Sequence, residues 1–159
     1  MKNESARFRQ VMGHFATGVT VVTGVDPDGE RVGLTANSVA SVSLDPPLLL
    51  VCLDRGSKSL AALLETGAFG ISVLHSGQEA VARRFAGEPT ANRFRDLEVR
   101  LAPSGLPFLP DAIAWFQCRV WRTIEAGDHT ILIGEVEDGG TKPGSPLVFF
   151  QGRYGIVAP

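Results

Sequence analysis

Short runs of β-branched and apolar residues follow one another along most of this chain, with only brief helical patterns between them. Thr17 to Val25 is β-branched in pattern, and Asp26-Pro27-Asp28-Gly29 reads as a turn. Strand patterns continue over Arg31–Ala36, Val39–Ser43 and Leu48–Leu53, the last so continuously apolar that burial on both faces is expected. Phe69–Leu74 is a further strand, and Ala112–Glu125 and His129–Asp138 flank the tight turn Ala126-Gly127-Asp128. Leu147–Gln151 and Tyr154–Val157 form a last pair. Helical periodicity is confined to three places. Phe8, Val11, Met12 and Phe15 share one helical face behind Ser5, a predicted N-cap. Lys58–Thr66 is helical with Gly67 as its stop, and Gln78–Phe85 is the third. Glu88–Arg100 is loop-like or briefly helical, and the proline-rich Leu101–Pro110 is expected to cross the surface. Many strands with few short helices predict a mainly β fold, a β-barrel with helical decoration, in one domain over residues 1–159.

Composition narrows the functional classes. Apolar residues make up 44 % and charged residues 20 % of 159 residues, which supports a packed domain and argues against wholesale disorder. A net charge of −2 gives no basis for binding nucleic acid. No continuous apolar run follows Lys2, Arg7 and Arg9, so neither a signal peptide nor a membrane span is expected. Cys52 and Cys118 lie far apart in hydrophobic runs without metal or redox spacing; they read as buried thiols of a cytoplasmic protein.

The stretch from Gly33 to Pro47 carries the chemistry. Thr35, Asn37, Ser38, Ser41 and Ser43 alternate with Leu34, Ala36, Val39 and Val42, giving one apolar and one hydrogen-bonding face. Buried donors and acceptors need partners, so such a face suits a flat ligand with a polar edge. Ser41 and Ser43, two apart, share a face of a regular strand, and Asp45-Pro46-Pro47 stiffens its exit. Further on, Ser57, Lys58 and Ser59 stand before a helix, where hydroxyls, a cation and free amides suit a phosphate. Ring-edge recognition followed by phosphate recognition points to a nucleotide-like cofactor, foremost a flavin. From spacing alone, Thr35, Asn37 and Ser38 could equally satisfy their own backbone, and Ser57 or Ser59 could be a plain N-cap.

The ordered set Phe15-Ala16-Thr17-Gly18-Val19-Thr20-Val21-Val22-Thr23, Gly33-Leu34-Thr35-Ala36-Asn37-Ser38, Ser41-Val42-Ser43-Leu44-Asp45-Pro46-Pro47, Ser57-Lys58-Ser59, Phe85-Ala86-Gly87, Gly127-Asp128-His129 and Gly152-Arg153-Tyr154-Gly155 resembles the flavin reductase family. The resemblance runs over nearly the whole chain. It implies the FMN-binding split-barrel fold, Greek-key-like in topology, and a homodimer that uses NADH or NADPH to reduce FMN or FAD. It also implies delivery of reduced flavin to a separate flavin-dependent monooxygenase.

The resemblance implies flavin contacts by Thr35, Ala36, Asn37, Ser38, Ser41, Ser43 and Cys52, and by Ser57, Lys58 and Ser59 at the phosphate end. Arg84, Phe85 and Tyr154 complete that set, with Arg83 the competitor of Arg84 and Arg153 a further phosphate partner. It assigns His129 to the nicotinamide site, where orientation of two stacked rings is needed and no protein nucleophile. Asp128 is expected to fix the turn. Phe149 and Phe150 either cover the flavin or pack a terminus or dimer core. Arg83, Arg84 and Arg93 are all candidates for a nicotinamide 2′-phosphate. His14 and His75 have no metal pattern around them, and no metal is expected. No GxGxxG follows the first strand, so a nicotinamide cofactor has to enter the flavin cleft itself. A non-catalytic flavin-binding barrel, or another split-barrel oxidoreductase resembling pyridoxamine-phosphate oxidase, is the alternative.

Overall fold

The computed structural model describes residues 2–158. Helix α1 (Lys2–Met12) opens it, followed by β1 (Thr17–Gly18), β2 (Thr20–Val25), β3 (Arg31–Ala36), β4 (Val39–Leu44) and β5 (Pro47–Asp54). Next come α2 (Lys58–Thr66), β6 (Ala68–Val73) and α3 (Glu79–Gly87), then a 3-10 turn at Thr90–Asn92. The short hairpin β7 (Arg100–Leu101) and β8 (Pro107–Phe108) precedes the long β9 (Ala114–Ala126) and β10 (His129–Thr141), and β11 (Leu147–Phe150) and β12 (Arg153–Ile156) end the chain.

One sheet has the order β3-β2-β6-β9-β10-β5-β4, with every neighbouring pair antiparallel. Its two outermost strands, β3 and β4, are joined by only Asn37 and Ser38. Two residues cannot cross a flat sheet of this width, so the sheet curls until its edges meet. At the linker that forms this seam, Ser38 extends the β4–β5 ladder by one residue: its hydroxyl donates to the Cys52 carbonyl at 2.8 Å, and its carbonyl accepts from the Cys52 amide at 3.2 Å. The result is the expected barrel, split along one line. A second sheet, β1-β11-β12, lies beside it.

Two apolar clusters hold these layers. Val22, Val51, Leu53, Phe69, Ile71 and Leu132 fill the barrel, and Leu60 and Leu63 of α2 pack against them. Val19, Val21, Leu74, Ala82, Phe85 and Leu147 pack α3 against the outside. Strand β2 therefore contributes to both clusters and is buried on both faces, as is β6. This corrects the expectation for Leu48–Leu53: in β5, Leu49, Val51 and Leu53 are buried while Leu48, Leu50 and Cys52 are half-exposed. Helix α2 ends as expected, with Gly67 in the left-handed region at φ 74° and its amide on the Leu63 carbonyl.

Three further expectations change. Helix α1 starts before Ser5, so Ser5 is not its N-cap, and Phe8, Val11, Met12 and Phe15 are exposed. Residues 101–110 do not simply cross the surface, because Leu106, Phe108 and Leu109 are buried. Phe108 occupies space left by the missing side chain of Gly70, where a Cβ would lie 2.7 Å from its ring, and Thr23 donates to the Pro107 carbonyl. A β-bulge between Ser41 and Ser43 sets them opposite Leu49 and Leu48, successive residues of β5. The regular strand face that was to unite them is broken there. Among the described residues no helix is long and apolar enough to cross a membrane.

Candidate functional site

The polar residues of β3 meet α3 and the terminal sheet at a pair of adjoining clefts. The smaller, of about 80 Å³, is lined by Val19, Thr35, Asn37, Phe149 and Tyr154. Asn37 donates to the Thr17 hydroxyl at 3.2 Å, and Thr35 donates to the Ala82 carbonyl at 2.6 Å. Tyr154 meets Phe149 edge-on at 5.2 Å and carries the Arg83 guanidinium 4.9 Å above its ring. Burial pushes the Tyr154 phenol up from its ordinary value, against the pull of Arg83. Arg83 also pairs with Glu79 at 2.7 Å. Ala36 is buried, and its carbonyl accepts from Thr20. The Ser38 hydroxyl is committed to the barrel seam.

The second cleft, of about 390 Å³, shares Thr35 with the first and runs between Leu34, Ser57, Lys58, Thr90 and Arg93. Ser57 caps α2 by accepting from the Leu60 amide at 3.4 Å, which leaves its hydroxyl hydrogen free to donate. Lys58, the first residue of α2, is exposed and makes no ion pair among the described residues. Arg93 is half-buried; it donates to the Gly33 carbonyl at 2.6 Å and the Glu88 carbonyl at 2.8 Å. No carboxylate of the described residues lies within ion-pair distance of it, and burial pulls its basicity down. A partly desolvated cation held by neutral carbonyls, beside a lysine at a helix start, is a ready anion site.

Several expected site residues lie elsewhere. Ser59 is 1 % exposed and turns its hydroxyl to the Gly33 carbonyl, away from the cleft. Arg84 points to the carbonyls of Asn92 and Arg95, where it holds α3 to the following loop. Phe85, by contrast, stays at the second cleft: completely buried and edge-on to Phe94 at 5.0 Å, it forms the floor beneath it. Ser41 is exposed on β4, and Ser43 accepts from the Asp45 amide. Cys52 is half-buried at the seam, and its thiol is pushed up by burial. Arg153 and Phe150 face each other across β11 and β12, both exposed. His14 joins α1 to Gln151, and the His75 ring accepts from the Gly77 amide.

His129 begins β10 directly opposite Asp54, where β5 gives way to the loop carrying Ser57 and Lys58. Its Nδ1 lies 2.7 Å from Oδ1 of Asp128. That hydrogen bond foremost holds the Asp128 carboxyl below the usual range, so Asp128 is ionised and accepts from Nδ1–H. Nε2 is left free on a side chain 44 % exposed. Arg93, expected only as a candidate for a nicotinamide 2′-phosphate, and the packing of Arg83 on Tyr154, two residues expected separately, are the features along these clefts that sequence reasoning did not anticipate. Both depend on contacts between segments distant in the chain, and Arg93 sits in an irregular loop without periodicity. A separate cleft of about 330 Å³ around Phe108, Trp115 and Lys142 lies at the far end of the β9–β10 hairpin from His129 and holds none of these residues.

The family profile described as a flavin reductase like domain matches residues 12–158. The chain is 48 % identical over 153 residues to a flavin reductase (NADH) of Kitasatospora aureofaciens, covering 92 % of this chain and 78 % of that protein. It is 38 % identical over 156 residues to the reductase component of a 4-nitrophenol 4-monooxygenase/4-nitrocatechol 2-monooxygenase of Rhodococcus opacus, covering 98 % of this chain and 83 % of the relative. Some relatives are longer: the chain spans 47 % of a probable flavin reductase of Rhizobium meliloti. The solved NADH:FAD oxidoreductase SgcE6 of Streptomyces globisporus superposes with a TM-score of 0.92 at 40 % identity, covering 98 % of this chain and 95 % of that one. The length, identity and structural agreement of these matches place the chain in the flavin reductase family.

Proposed function

We propose that this chain is an NADH-dependent flavin reductase that binds FMN or FAD in the adjoining clefts along β3. The observation that carries the reading is Arg93, a half-buried cation with no carboxylate partner among the described residues, facing Lys58 and the start of α2 across a cleft. The relatives supply the choice of NADH, and at least one is a monooxygenase reductase component, which supports a separate oxygenase as the consumer of reduced flavin. The exposed apolar residues Phe8, Val11, Met12 and Phe15 support a second copy of the chain as a partner. Two free thiols fit work in a reducing cytoplasm.

A bound flavin supplies a ring system that accepts the two electrons and proton of a hydride. Lys58, the Ser57 hydroxyl and Arg93 hold its phosphate. Asn37, with the amide hydrogen it does not give to Thr17, and the backbone of the seam would face the polar ring edge, where donors favour the charge that gathers on reduction, while the Thr35 hydroxyl, whose hydrogen goes to the Ala82 carbonyl, can only accept there. Tyr154 and Phe149 exclude water from one side of the ring. His129, held in one orientation by Asp128, presents Nε2 to the incoming nicotinamide and positions it for direct transfer. Hydride transfer needs no general base, so none is assigned.

Anaerobic stopped-flow absorbance tests this. Rapid loss of the oxidised flavin band on mixing protein, FMN or FAD, and NADH is expected. His129→Ala is expected to lower kcat/KM for NADH by on the order of tenfold or more. Flavin that binds yet stays oxidised with either nicotinamide nucleotide overturns the reading.

A further inference from the structure

The cleft of about 330 Å³ around Phe108 and Trp115 takes no part in the reaction proposed above. Its size is that of a site for a small organic molecule. Trp115 stands in one row with Ser72, Val21 and Thr35 across β9, β6, β2 and β3. Three strand spacings, roughly 14 Å, therefore separate it from Thr35 at the edge of the flavin clefts. The space between is filled: Leu109 is buried, and its amide donates to the Ser72 hydroxyl at 3.1 Å.

Two aromatic rings form the floor, and each is seated on a glycine. A Cβ at Gly70 would stand 2.7 Å from the Phe108 ring. Gly140 faces Trp115 in the β9–β10 ladder, and a Cβ there would stand 2.7 Å from the indole nitrogen. The rings meet at 5.1 Å with a tilt of 59°, a notch that a third flat ring can enter. The polar groups around this floor differ in how far they are committed. Lys142 donates to the Pro110 carbonyl at 2.9 Å and to Asp111 at 3.3 Å. Asp138, on the β10 side, accepts from the Gly139 amide at 2.8 Å. Arg100, opposite Phe108 in the β7–β8 hairpin, has no ion-pair partner among the described residues. The half-buried Trp115 keeps its indole N–H open to solvent, because Nε of Arg84 is the one buried, partnerless side-chain nitrogen among the described residues. A free guanidinium and a free N–H beside an aromatic floor suit a flat ring that carries a carboxylate. The guanidinium takes the carboxylate in a two-pronged hydrogen bond, and the ring covers the apolar floor.

We propose that this cleft is a second ligand site, separate from the flavin clefts, which binds a small aromatic carboxylate between the Phe108–Trp115 floor and Arg100. A neutral ring leaves Arg100 without a partner, and a cationic one has only Asp138 to meet it against Arg100 and Lys142. The site stands on its own residues and does not depend on where the flavin phosphate lies.

The test follows the indole N–H signals of the two tryptophans, Trp115 and Trp121, in proton–nitrogen correlation spectra, with Trp121→Phe to assign them. The probes are naphthoate, the neutral naphthamide and the cationic naphthylmethylammonium. Naphthoate is expected to move the Trp115 signal saturably, with a Kd below about 1 mM, and to leave Trp121 in place. Naphthamide on the unaltered protein, and naphthoate on Arg100→Gln, are each expected to bind on the order of tenfold more weakly. Ala102→Phe, which fills the cleft from its wall, is expected to abolish the shift. Unchanged dispersion of the remaining signals shows that both variants are folded. Absence of a saturable Trp115 shift up to about 10 mM naphthoate overturns the inference, as does equal binding of the amide. Tighter binding of the ammonium overturns it too, and gives the site to Asp138. Displacement of naphthoate by FMN places the probe in the flavin clefts and removes the second site, while the reductase reading survives every one of these outcomes.

Discussion

Replacing Arg93 by Met separates recognition of a phosphate from support of the fold. The methionine retains the apolar stem of the arginine and removes its guanidinium. In the structure Nε donates to the Glu88 carbonyl and Nη1 to the Gly33 carbonyl, and the remaining N–H donors are available to the cleft. A charge-assisted hydrogen bond to a phosphate contributes about 2 kcal/mol, or roughly 30-fold in Kd. Loss of the two carbonyl contacts costs stability separately, roughly 1–2 kcal/mol at this half-exposed position. Riboflavin distinguishes the two effects, because it has the ring and ribityl chain of FMN without the phosphate. Arg93→Met is expected to raise the FMN Kd roughly 30-fold while leaving the riboflavin Kd within about twofold. Parallel titrations by fluorescence quenching, with a urea midpoint for each protein, give all three quantities. If FMN and riboflavin weaken together, Arg93 acts through β3 and the phosphate assignment fails. If neither weakens, the phosphate lies elsewhere.

Ser59→Ala should leave the FMN Kd unchanged and cost roughly 1 kcal/mol in a denaturant titration, since its hydroxyl serves the Gly33 carbonyl in the core. An FMN Kd that rises with that change would return Ser59 to the site. Gly134→Ala should destabilise by roughly 1–3 kcal/mol, because its Cβ would stand 2.4 Å from the buried Phe69 ring and 2.9 Å from Cβ of Cys118. A thermal midpoint equal to that of the unaltered protein would show that the barrel interior yields. Burial, with Glu137 adding to it, pushes the Cys118 thiol from the ordinary 9.0 up to about 12. The unfolded thiol ionises first as pH rises, so its contribution to stability is intact below pH 9 and lost between there and pH 12, at about 1.4 kcal/mol per pH unit. Urea midpoints at about pH 8 and pH 10.5 should therefore diverge less in Cys118→Ala than in the unaltered protein, and equal divergence would refute the assignment.

The sequence alone determined the elements and the kind of ligand. Alternation, turn residues and capping glycines are local, so strands such as Arg31–Ala36 and the helix Lys58–Thr66 with its Gly67 stop were legible residue by residue. The motif order likewise announced a flavin reductase. Tertiary structure decided which copies of a repeated residue type line the clefts. Ser57 and Ser59 read alike in the chain, but α2 packs Leu60 and Leu63 into the barrel and carries Ser59 inward with them. Arg83 and Arg84 are neighbours, but they point from α3 in different directions, one to Tyr154 and the other to the loop carbonyls. The β4 bulge parted Ser41 from Ser43 because one inserted residue reverses the side-chain alternation. Arg93 gained its significance only when the loop after α3 folded back onto Gly33. Local pattern reports what each segment prefers to be, whereas desolvation and the pairing of charges depend on which segments meet, and the closed barrel settles that.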